Sequence, residues 1–337
     1  MKKLVIFCVA VVIGAGSLYA NGQKAKTEAG SEQSRLRISK QYGVNYLPLI
    51  VLEGQKLIEK NAKEAGLGDI TVEWVTFGGG ATANDALLSG SVDLISGGIA
   101  PFVRLWDKTN GNVKSLGTLD QSPLILNTSN PAVYKLADLT EKDKIAVPSV
   151  KVSIQALVLQ VAAAKEFGKD NYDKIDHLTV ALSHPDALVA LTSGKSEITA
   201  HFTNEPYASL EQQTSGIHFV FDSYGVFGAR HSTNLVSTTA DFYNNNPKLS
   251  AVILKSLNEA DAWIAANKRE AARLYLEVTK SNEPLELVLQ IISRDEITYT
   301  TKPLNVTFFS DFLYDTGAIS RKPVQDELFF PIALDTK

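Results

Sequence analysis

The chain has 337 residues, 45% of them hydrophobic and 21% charged, and a formal net charge of −4. This length exceeds what one hydrophobic core usually serves, so it predicts two lobes. The slightly acidic balance gives no broad positive surface, which argues against nucleic acid as a partner.

The first twenty residues, MKKLVIFCVAVVIGAGSLYA, are typical of a secretory signal peptide. Two lysines precede an apolar run that is too short to span a bilayer, and small residues follow it. We predict cleavage after Ala20, with cleavage near Ser17 as an alternative and an uncleaved membrane anchor as the other interpretation. Residues 21–34 are polar and predict a flexible leader.

The single cysteine, Cys8, lies inside this apolar run and would leave with it. The exported protein would then contain no thiol. This excludes disulfides, cysteine-ligated zinc and thiol catalysis together.

From Arg35 onward, strands and helices alternate with short connections. The pattern predicts strands at RLRIS, TVEWVTF and VDLIS, a helix at about 49–64, and helices that follow the glycine loops of GGGATANDALLSG and GGIAPFVRLWD. Such alternation predicts a parallel sheet that helices cover on both faces.

The alternation restarts after Gln121. It predicts strands at PLILNT, KIAVP, LTVAL, EITAHF, HFVFDS and NLVST, and helices at SIQALVLQVAAAKEFG and PDALVALTSG. From Pro247 the apolar residues recur at spacings of three and four, which predicts helices that serve packing. We place lobe one at 35–121 plus 236–337 and an inserted lobe two at 122–235, with PLILNT and NLVST as two hinge crossings around a cleft.

The segment ALLSGSVDLISGG, beginning at Ala86, is similar in sequence to ALTSGKSEITAHF, beginning at Ala190. Each reads as the last turn of a helix, a glycine that takes left-handed dihedral angles, and a short buried strand. Two copies predict two similar α/β units.

Four blocks of sequence carry a resemblance to a known family: FGGGATANDALLSGSVDLISGG, KIAVPSVKVS, ALVALTSGKSEITAHFTNEPYA and NPKLSAVILKSLNEADAWIAANKREAARLY. With them the chain resembles the type II solute-binding proteins of bacterial ABC importers. The resembling branch, NMT1/THI5-like, serves nitrate, sulfonate or taurine, and thiamine-precursor pyrimidines. The likeness covers most of the chain from Arg35 to Pro331.

This resemblance implies an α/β fold of two similar Rossmann-like lobes, joined by two hinge crossings, with a helical C-terminal part. It also implies an exported, periplasmic protein that captures a small solute and delivers it to permease subunits in the inner membrane. The chain departs from the family at Asn204, where an aromatic residue is frequent, and at Glu197, where aspartate is usual. These departures leave the identity of the solute open.

The strongest candidate ligand residues follow strands of the predicted sheets, because ligands of open α/β sheets bind at helix N-termini there. One loop supplies Gly79, Gly80, Ala81 and Thr82, and a loop of the other lobe supplies Ser149, Lys151 and Ser153. The alternative is that the glycines only turn the chain. Lys151 is the best placed cation for an anionic ligand, although a solvated surface charge is the other interpretation.

Further candidates are Tyr42, Asn45 and Tyr46, which lie where the resembling family commonly covers its ligand, together with Gly98, His201 and Asn204. The alternative for Tyr42, Asn45 and Tyr46 is that they anchor the loop. Gly98 could serve only to turn the chain, and His201 could be a structural histidine. No P-loop, nucleophile elbow or paired histidine spacing is present in the sequence. We therefore expect no catalytic residue, metal or cofactor, and a monomer; an enzyme on the same scaffold and a sensory binding protein are the rival functions.

Overall fold

The computed structural model describes residues 34–334. The predicted signal peptide and, apart from Ser34, the predicted leader lie outside the described residues. The strands are β1 Arg35–Lys40, β2 Thr71–Thr76, β3 Ile95–Gly98, β4 Val113–Thr118, β5 Asp120–Gln121, β6 Ile125–Thr128, β7 Ile145–Val147, β8 Thr179–Ala181, β9 Ala200–Thr203, β10 His218–Asp222, β11 Asn234–Thr239 and β12 Thr298–Tyr299.

The α-helices follow the loops that the glycines and prolines mark. They are α1 Leu47–Gln55, α2 Leu57–Glu64, α3 Gly80–Leu88, α4 Ile99–Lys108, α5 Ile154–Phe167, α6 His184–Ser193, α7 Tyr207–Gln212, α8 Ser223–Phe227, α9 Ala240–Asn245, α10 Pro247–Ala266, α11 Lys268–Thr279, α12 Leu285–Ile292, α13 Thr307–Asp315, α14 Gln325–Leu328 and α15 Pro331–Leu334.

The first lobe is built on a mixed set of strands. β1 and β2 pair in parallel, and Ile38 of β1 forms a parallel bridge to Leu94, just before β3. β11 lies between β3 and β4 and runs antiparallel to both. The predicted parallel arrangement is thus confirmed for β1, β2 and the bridge at Leu94, but β11 departs from it, because this strand enters the lobe from the opposite direction when the chain returns from the second lobe.

The second lobe has a five-stranded sheet in the order β10-β6-β9-β7-β8. β7 is parallel to β8 and β9, whereas β6 is antiparallel to β9 and β10. The chain enters this sheet between β5 and β6 and leaves it between β10 and β11. Two α/β lobes joined by two chain crossings are the result, as the sequence predicts.

The hydrophobic cores show that the lobes are in contact. One buried cluster lies within the first lobe and its C-terminal helices and includes Leu36 and Ile50. A second cluster joins Ile99 and Phe102 of α4 to Ile154 of α5. Since α4 and α5 belong to different lobes, the cleft between them is closed over part of its length.

Two local predictions need correction. The helix at 49–64 is broken into α1 and α2, because Lys56 takes a left-handed conformation with φ 53° and ends α1. β4 was not predicted, since its polar residues hide the strand pattern. Among them, Ser115 Oγ donates to the carbonyl of Val236 in the neighbouring strand, which satisfies the buried hydroxyl.

The two similar segments that begin at Ala86 and Ala190 have the predicted structure. α3 ends just before Gly90, which has φ 71°, and α6 ends at Gly194, which has φ 63°. Each helix leads into a short strand, β3 or β9, which begins a few residues later than the pattern indicated. Over the described range, none of the helices has both the length and the apolar composition that a membrane span requires.

Candidate functional site

A cavity of about 20 Å³ lies between the loops that follow the strands of the two lobes. A space of this size accommodates about one water molecule. The closed arrangement therefore leaves only a small polar chamber. Its lining residues are Gln41, Tyr42, Tyr46, Gly80, Gly98, Pro101, Leu124, Pro148, Ser153, Ile154, Gln155, His184, Asn204 and Asn234.

Four helices begin at this cavity. α3 begins at Gly80 and α4 directly after Gly98, both from the first lobe. α5 begins directly after Ser153 and α6 at His184, both from the second lobe. The first N–H groups of a helix lack partners within it and carry partial positive charge, so the cavity is a place where an anion is stabilised from both sides.

The lining that the structure describes contains no lysine, arginine, aspartate or glutamate. An anion in the cavity would therefore be held by backbone dipoles and neutral side chains. No full ionic charge has to be buried on the protein side to provide this, which avoids the desolvation penalty of a buried ion.

The second lobe contributes a line of buried polar side chains that starts at the cavity. Gln155 Nε2 lies 3.3 Å from His184 Nε2, and His184 Nδ1 lies 2.9 Å from His201 Nε2. His201 Nδ1 lies 2.5 Å from Glu211 Oε1. Asn127 Nδ2 donates to the other carboxyl oxygen, Glu211 Oε2, at 2.9 Å.

Burial shifts the ionisation of this line toward neutral groups. It lowers the pKa of His184 well below its ordinary value and that of His201 to about 3. It raises the pKa of Glu211 to about 8, although the hydrogen bond from Asn127 acts in the opposite direction. At neutral pH, uncharged imidazoles and a protonated carboxyl group are therefore favoured.

A second buried network joins the two chain crossings. Tyr46 Oη donates to Asn234 Oδ1 at 2.9 Å, and Asn45 Nδ2 donates to Asp120 Oδ2 at 2.6 Å. The backbone N–H and Nδ2 of Asn234 both donate to Asp120 Oδ1 at 3.0 Å. Burial raises the pKa of Asp120 to about 6, and these hydrogen bonds act against the shift. The network ties the loop after β1 to β5 and β11.

Direct contacts also bridge the lobes beside the cavity. The N–H of Val44 donates to the carbonyl of Glu205 at 2.9 Å, and Asn204 Nδ2 donates to the carbonyl of Tyr42 at 3.1 Å. Asn204 Oδ1 is buried and has no partner among the described residues. The bond made by Nδ2 fixes the orientation of this amide, so Asn204 contributes a buried acceptor without a partner beside the cavity.

Glu205 connects the start of α7 to the C-terminal helices. Its Oε2 accepts the N–H of Ser209, and its Oε1 lies 2.5 Å from Arg294 Nη1. The Arg294 Nη2 also donates to Ser209 Oγ at 2.9 Å. The carboxylate thus both caps α7 and holds an arginine that follows α12.

The structure brings six of the predicted ligand residues to the cavity: Tyr42, Tyr46, Gly80, Gly98, Ser153 and Asn204. Seven others do not line it: Asn45, Gly79, Ala81, Thr82, Ser149, Lys151 and His201.

Each of the seven has a physical reason for its position. A Cβ at Gly79 would lie 2.9 Å from Ser149 Oγ, so these two meet each other across the cleft. Thr82 is exposed and Ala81 half-buried on the outer side of the first turn of α3. Lys151 is also exposed, with φ 62°, whereas Asn45 and His201 are taken up by the two buried networks.

Two further lining residues, Pro101 and Pro148, belong to the loops that the sequence marked as ligand loops. Sequence reasoning missed the rest, which are Gln41, Leu124, Ile154, Gln155, His184 and Asn234. A signal existed for two of them, because Gln155 and His184 occupy the first turns of helices that the sequence did predict. The rule that a ligand meets the first turn of such helices would have selected both.

A larger groove of about 610 Å³ adjoins the cavity, and both are lined by Gln41 and Tyr42. Lys40 pairs with Glu53 in its wall and lies 5.6 Å from the centre of the Trp74 ring. Burial lowers the pKa of this lysine to about 8. Between residues 34 and 334, no cluster of three or more histidine, cysteine or acidic side chains could hold a metal ion.

Solved structures share this fold at low sequence identity. The alkanesulfonate-binding protein SsuA from Xanthomonas axonopodis pv. citri bound to MOPS matches with a TM-score of 0.71 and 18% identity, over 89% of this chain and 99% of that one. The periplasmic aliphatic sulphonate binding protein SsuA from Escherichia coli matches with a TM-score of 0.66 and 19% identity, over 90% of this chain and 100% of that one. The periplasmic nitrate-binding protein NrtA from Synechocystis PCC 6803 matches with a TM-score of 0.64 and 16% identity, over 88% of this chain and 84% of that one.

The fold is therefore that of the periplasmic binding proteins. Comparison with curated protein sequences finds no match. The model of the NMT1-like family matches residues 29–278, which is most of the chain. With its bilobed fold and a cleft between helix N-termini, the chain belongs to the NMT1-like family.

Proposed function

We propose that the protein is the extracytoplasmic solute-binding component of an ABC importer, which captures a small anion between its lobes and delivers it to a permease in the inner membrane. The observation that carries this proposal is the meeting of four helix N-termini, two from each lobe, at a cavity whose described lining has no charged lysine, arginine or carboxylate. The predicted signal peptide supports a periplasmic location. The structural neighbours, named as sulfonate- and nitrate-binding proteins, support the same class of role.

The free acceptor at Asn204 refines the class of ligand. Helix N-termini offer donors to an oxyanion, whereas Asn204 Oδ1 needs a donor from the ligand. A buried acceptor left without a partner costs about 1–3 kcal/mol. We therefore expect an oxyanion that also carries an O–H or N–H group, as bicarbonate and taurine do.

The groove beside the cavity allows such an anion to carry an organic substituent. The cavity and the groove share Gln41 and Tyr42, so a head group in the first can continue into the second. The groove wall contains the rings of Trp74, Tyr207 and Tyr275, which suit an aliphatic or aromatic tail. A sulfonate or carboxylate with a short tail suits the chemistry of the polar cavity lining and the aromatic groove wall, and the lobes have to move apart to admit its head group.

The proposed mechanism is a shift of population between open and closed forms. A ligand favours closure only through contacts that it makes with both lobes, and the cavity lining supplies residues from both. We place the inserted lobe at 122–235, so that the segments before β6 and before β11 act as the hinge. The permease would then recognise the closed form.

The experiment that tests this function is a thermal-shift screen of the mature protein at pH 7.5 with matched pairs of solutes. Bicarbonate is compared with nitrate, and taurine with propane-1-sulfonate, because only the first member of each pair carries a donor; an aminopyrimidine serves as the neutral probe. A ligand at a hundred times its Kd stabilises by about 2.7 kcal/mol, which raises the Tm by roughly several degrees. Stabilisation by anions, with the compound recovered unchanged, is the expected result; no shift with any probe, or consumption of the compound, contradicts the proposed function.

The variant Asn204→Leu sharpens this test, since leucine keeps the approximate size of the side chain and removes the acceptor. We expect the preference for the donor-bearing member of each pair to fall about tenfold, as the loss of one buried hydrogen bond implies. Titration calorimetry of both members measures the ratio of their Kd values, which is insensitive to a general loss of affinity. An unchanged ratio would show that Asn204 does not select the ligand.

A further inference from the structure

The line of side chains from Gln155 to Glu211 has no role in simple anion capture by helix N-termini. His184 is 6% exposed, and His201 and Glu211 are fully buried. His184 lines the cavity, whereas Glu211 lies on α7 inside the second lobe. Three titratable groups are thus hydrogen-bonded in series between the ligand cavity and the protein interior.

The contacts of Asn127 and His201 determine where a proton can reside on Glu211. Asn127 Nδ2 donates to Oε2, so only Oε1 can carry a proton toward His201 Nδ1. With Glu211 protonated, its O–H donates to His201 Nδ1, and His201 Nε2–H donates to His184 Nδ1. His184 Nε2–H then needs an acceptor, so the Gln155 amide turns over: its Oε1 accepts from His184, and its Nε2 is left as a donor to the cavity that Gln155 lines. In this state the line is neutral and ends in a donor.

Loss of one proton reverses every hydrogen bond of the line. His184 gives up the proton on Nε2 to water in the cleft and takes one on Nδ1 from His201 Nε2; His201 in turn takes the Glu211 proton on Nδ1. Glu211 is then ionised, and the unprotonated His184 Nε2 accepts from Gln155 Nε2, which lies 3.3 Å away. The line now has one negative charge, and the Gln155 Oε1 is left as an acceptor to the cavity.

We propose that the line Gln155–His184–His201–Glu211 is a specificity determinant of the cleft, which couples the capture of an anion to the uptake of one proton. This inference rests on the proposed function. Only the protonated line offers a donor and removes the buried negative charge, so an anionic ligand selects it. By linkage, proton uptake and anion affinity strengthen each other equally.

The surroundings contain few other groups that could produce the same effect. On α7 the ring of Tyr207 stacks on His184 at 5.6 Å, and burial raises the pKa of this tyrosine. From β9, Thr203 Oγ1 lies 3.3 Å from His184 Nδ1, while α5 and β6 contribute the neutral amides of Gln155 and Asn127.

Charged groups nearby are occupied elsewhere. The carboxylate of Glu205 is engaged by Ser209 and Arg294, and Asp186 accepts from Ser183 Oγ. Two separate candidates remain. Lys40 lies next to Gln41 and pairs with Glu53. Asp120 binds Asn234 of the cavity wall and has its pKa raised by burial to about 6, below the range in which the affinity should change. The test must therefore distinguish Glu211 from Lys40.

The direction of the pH dependence follows from the burial of Glu211. Its pKa of about 8 means that the line is protonated below this pH before any ligand binds. Anion affinity should be constant from pH 6 to about 7.5 and should fall by about tenfold per pH unit above pH 8. Net proton uptake on binding should be close to zero at pH 6 and approach one at pH 9.

The experiment is titration calorimetry with ethanesulfonate and with nitrate, which do not titrate between pH 6 and 9.5, in pairs of buffers of different ionisation enthalpy. Wild-type protein reports the number of protons taken up and requires no variant to fold. The variant Glu211→Gln replaces the protonated carboxyl with an amide whose N–H can donate to His201 Nδ1, so we expect retained affinity, no pH dependence and no proton uptake. The matched control Glu141→Gln alters an exposed carboxylate of the same lobe that pairs with His177 at 2.9 Å, and it should behave as wild type.

Each other outcome overturns a different statement. Anion binding without proton uptake at pH 9 overturns the coupling and leaves the proposed function intact. Proton uptake that persists in Glu211→Gln belongs to Lys40 or another group, and it also overturns the coupling while leaving the proposed function intact. Binding of the aminopyrimidine but of neither anion overturns the coupling while a solute-binding role remains. Failure of every probe to bind at any pH overturns the proposed function itself.

Discussion

The two sides of the cavity present different chemistry from the same kind of helix start. On the first-lobe side, α3 and α4 follow Gly79 and Gly98, and neither N-cap has a side chain that bonds the helix. On the second-lobe side, Ser153 and Ser183 cap α5 and α6, and each Oγ accepts an N–H of its own helix. One lobe offers bare backbone, and the other offers side chains.

The difference indicates a division of roles. A glycine lets the opposite lobe approach closely: a Cβ at Gly98 would lie 2.7 Å from Ile154 Cγ2. At these helix starts the second lobe has room for side chains because the facing first-lobe residues are glycines. We therefore assign closure to the shape of the first lobe and ligand selection to Gln155, His184 and Asn204 of the second.

The largest expected effect comes from breaking the link between the lobes at Arg294. The variant Arg294→Met leaves the Glu205 carboxylate, whose side chain is 3% exposed, without its cation, and we expect the free energy of unfolding to fall by about 3 kcal/mol or more. Urea denaturation measures this loss. The control Arg273→Met removes an exposed pair with Glu270 and should cost less than about 1 kcal/mol; equal losses in the two variants would show that the Arg294 pair adds nothing special.

A smaller effect is expected at the bare first-lobe side, where two adjacent glycines form a matched pair. In Gly79→Ala the new Cβ would lie 2.9 Å from the carbonyl oxygen of Pro148 across the cleft, whereas in Gly78→Ala it would meet its nearest atom, Ser183 Cβ, at 3.5 Å. Overpacking of this kind costs about 1–3 kcal/mol, so we expect a roughly 5- to 150-fold loss of ligand affinity in the first variant only. Calorimetric titration with the best solute of the screen measures it. If both variants bind as wild type does, close approach at Gly79 is not required for closure.

The smallest effect per ionisable group and per pH unit is a pH dependence of stability, with one contributing group near each lobe's core. Burial raises the pKa of Glu211 and of Asp261, on α10, to about 8. Both groups bind a proton more tightly in the folded protein, so stability falls as pH rises from their unfolded values toward 8, with a slope of at most about 1.4 kcal/mol per unit for each.

The window from pH 7 to 8 is dominated by these two groups. The buried histidines His184, His201 and His231 act in the opposite direction, because their pKa values are lowered in the folded protein, and their influence fades as pH rises beyond the unfolded value of about 6.5. Lys40 stabilises with rising pH only above about 8. Urea denaturation across this window should show a fall that Glu211→Gln and Asp261→Asn each reduce by about half. A flat profile for the wild type would mean that both carboxyls are ionised in the folded state.

The fold could be predicted from sequence where the local signal matched the tertiary structure. The glycines Gly90 and Gly194 end α3 and α6 because the left-handed conformation there suits glycine. Strand β4 could not be predicted, since its polar residues find partners more than a hundred residues later, Ser115 at Val236 in β11 and Thr118 at Thr300. The same limit applies to β11, whose antiparallel direction depends on the return from the second lobe.

The site was predictable at the level of loops and less so for side chains. Gly80, Gly98 and Ser153 were predicted correctly to lie at the cavity, because ligands of open α/β sheets bind where a helix begins after a strand. The sequence selected Asn45 as a ligand residue and did not select Asn234, whereas in the structure Asn234 lines the cavity and Asn45 does not. Asp120 binds both amides, so only the folded structure shows which of them borders the cavity. His184 has no partner near it in the sequence with a recognisable spacing, and its link to His201 depends on how α6 packs beside β9.

The measurement that tests the central claim most directly is a ¹H–¹⁵N correlation titration of the assigned protein with the anion that stabilises it most. The Ile99 N–H already donates to the carbonyl of Thr233, which leaves Ala100 as the free donor of α4. If four helix N-termini hold the ligand, the largest amide shifts will therefore occur at Gly80, Ala100, Ile154 and His184, two in each lobe. Shifts confined to one lobe, or centred on the groove around Lys40, would contradict the account.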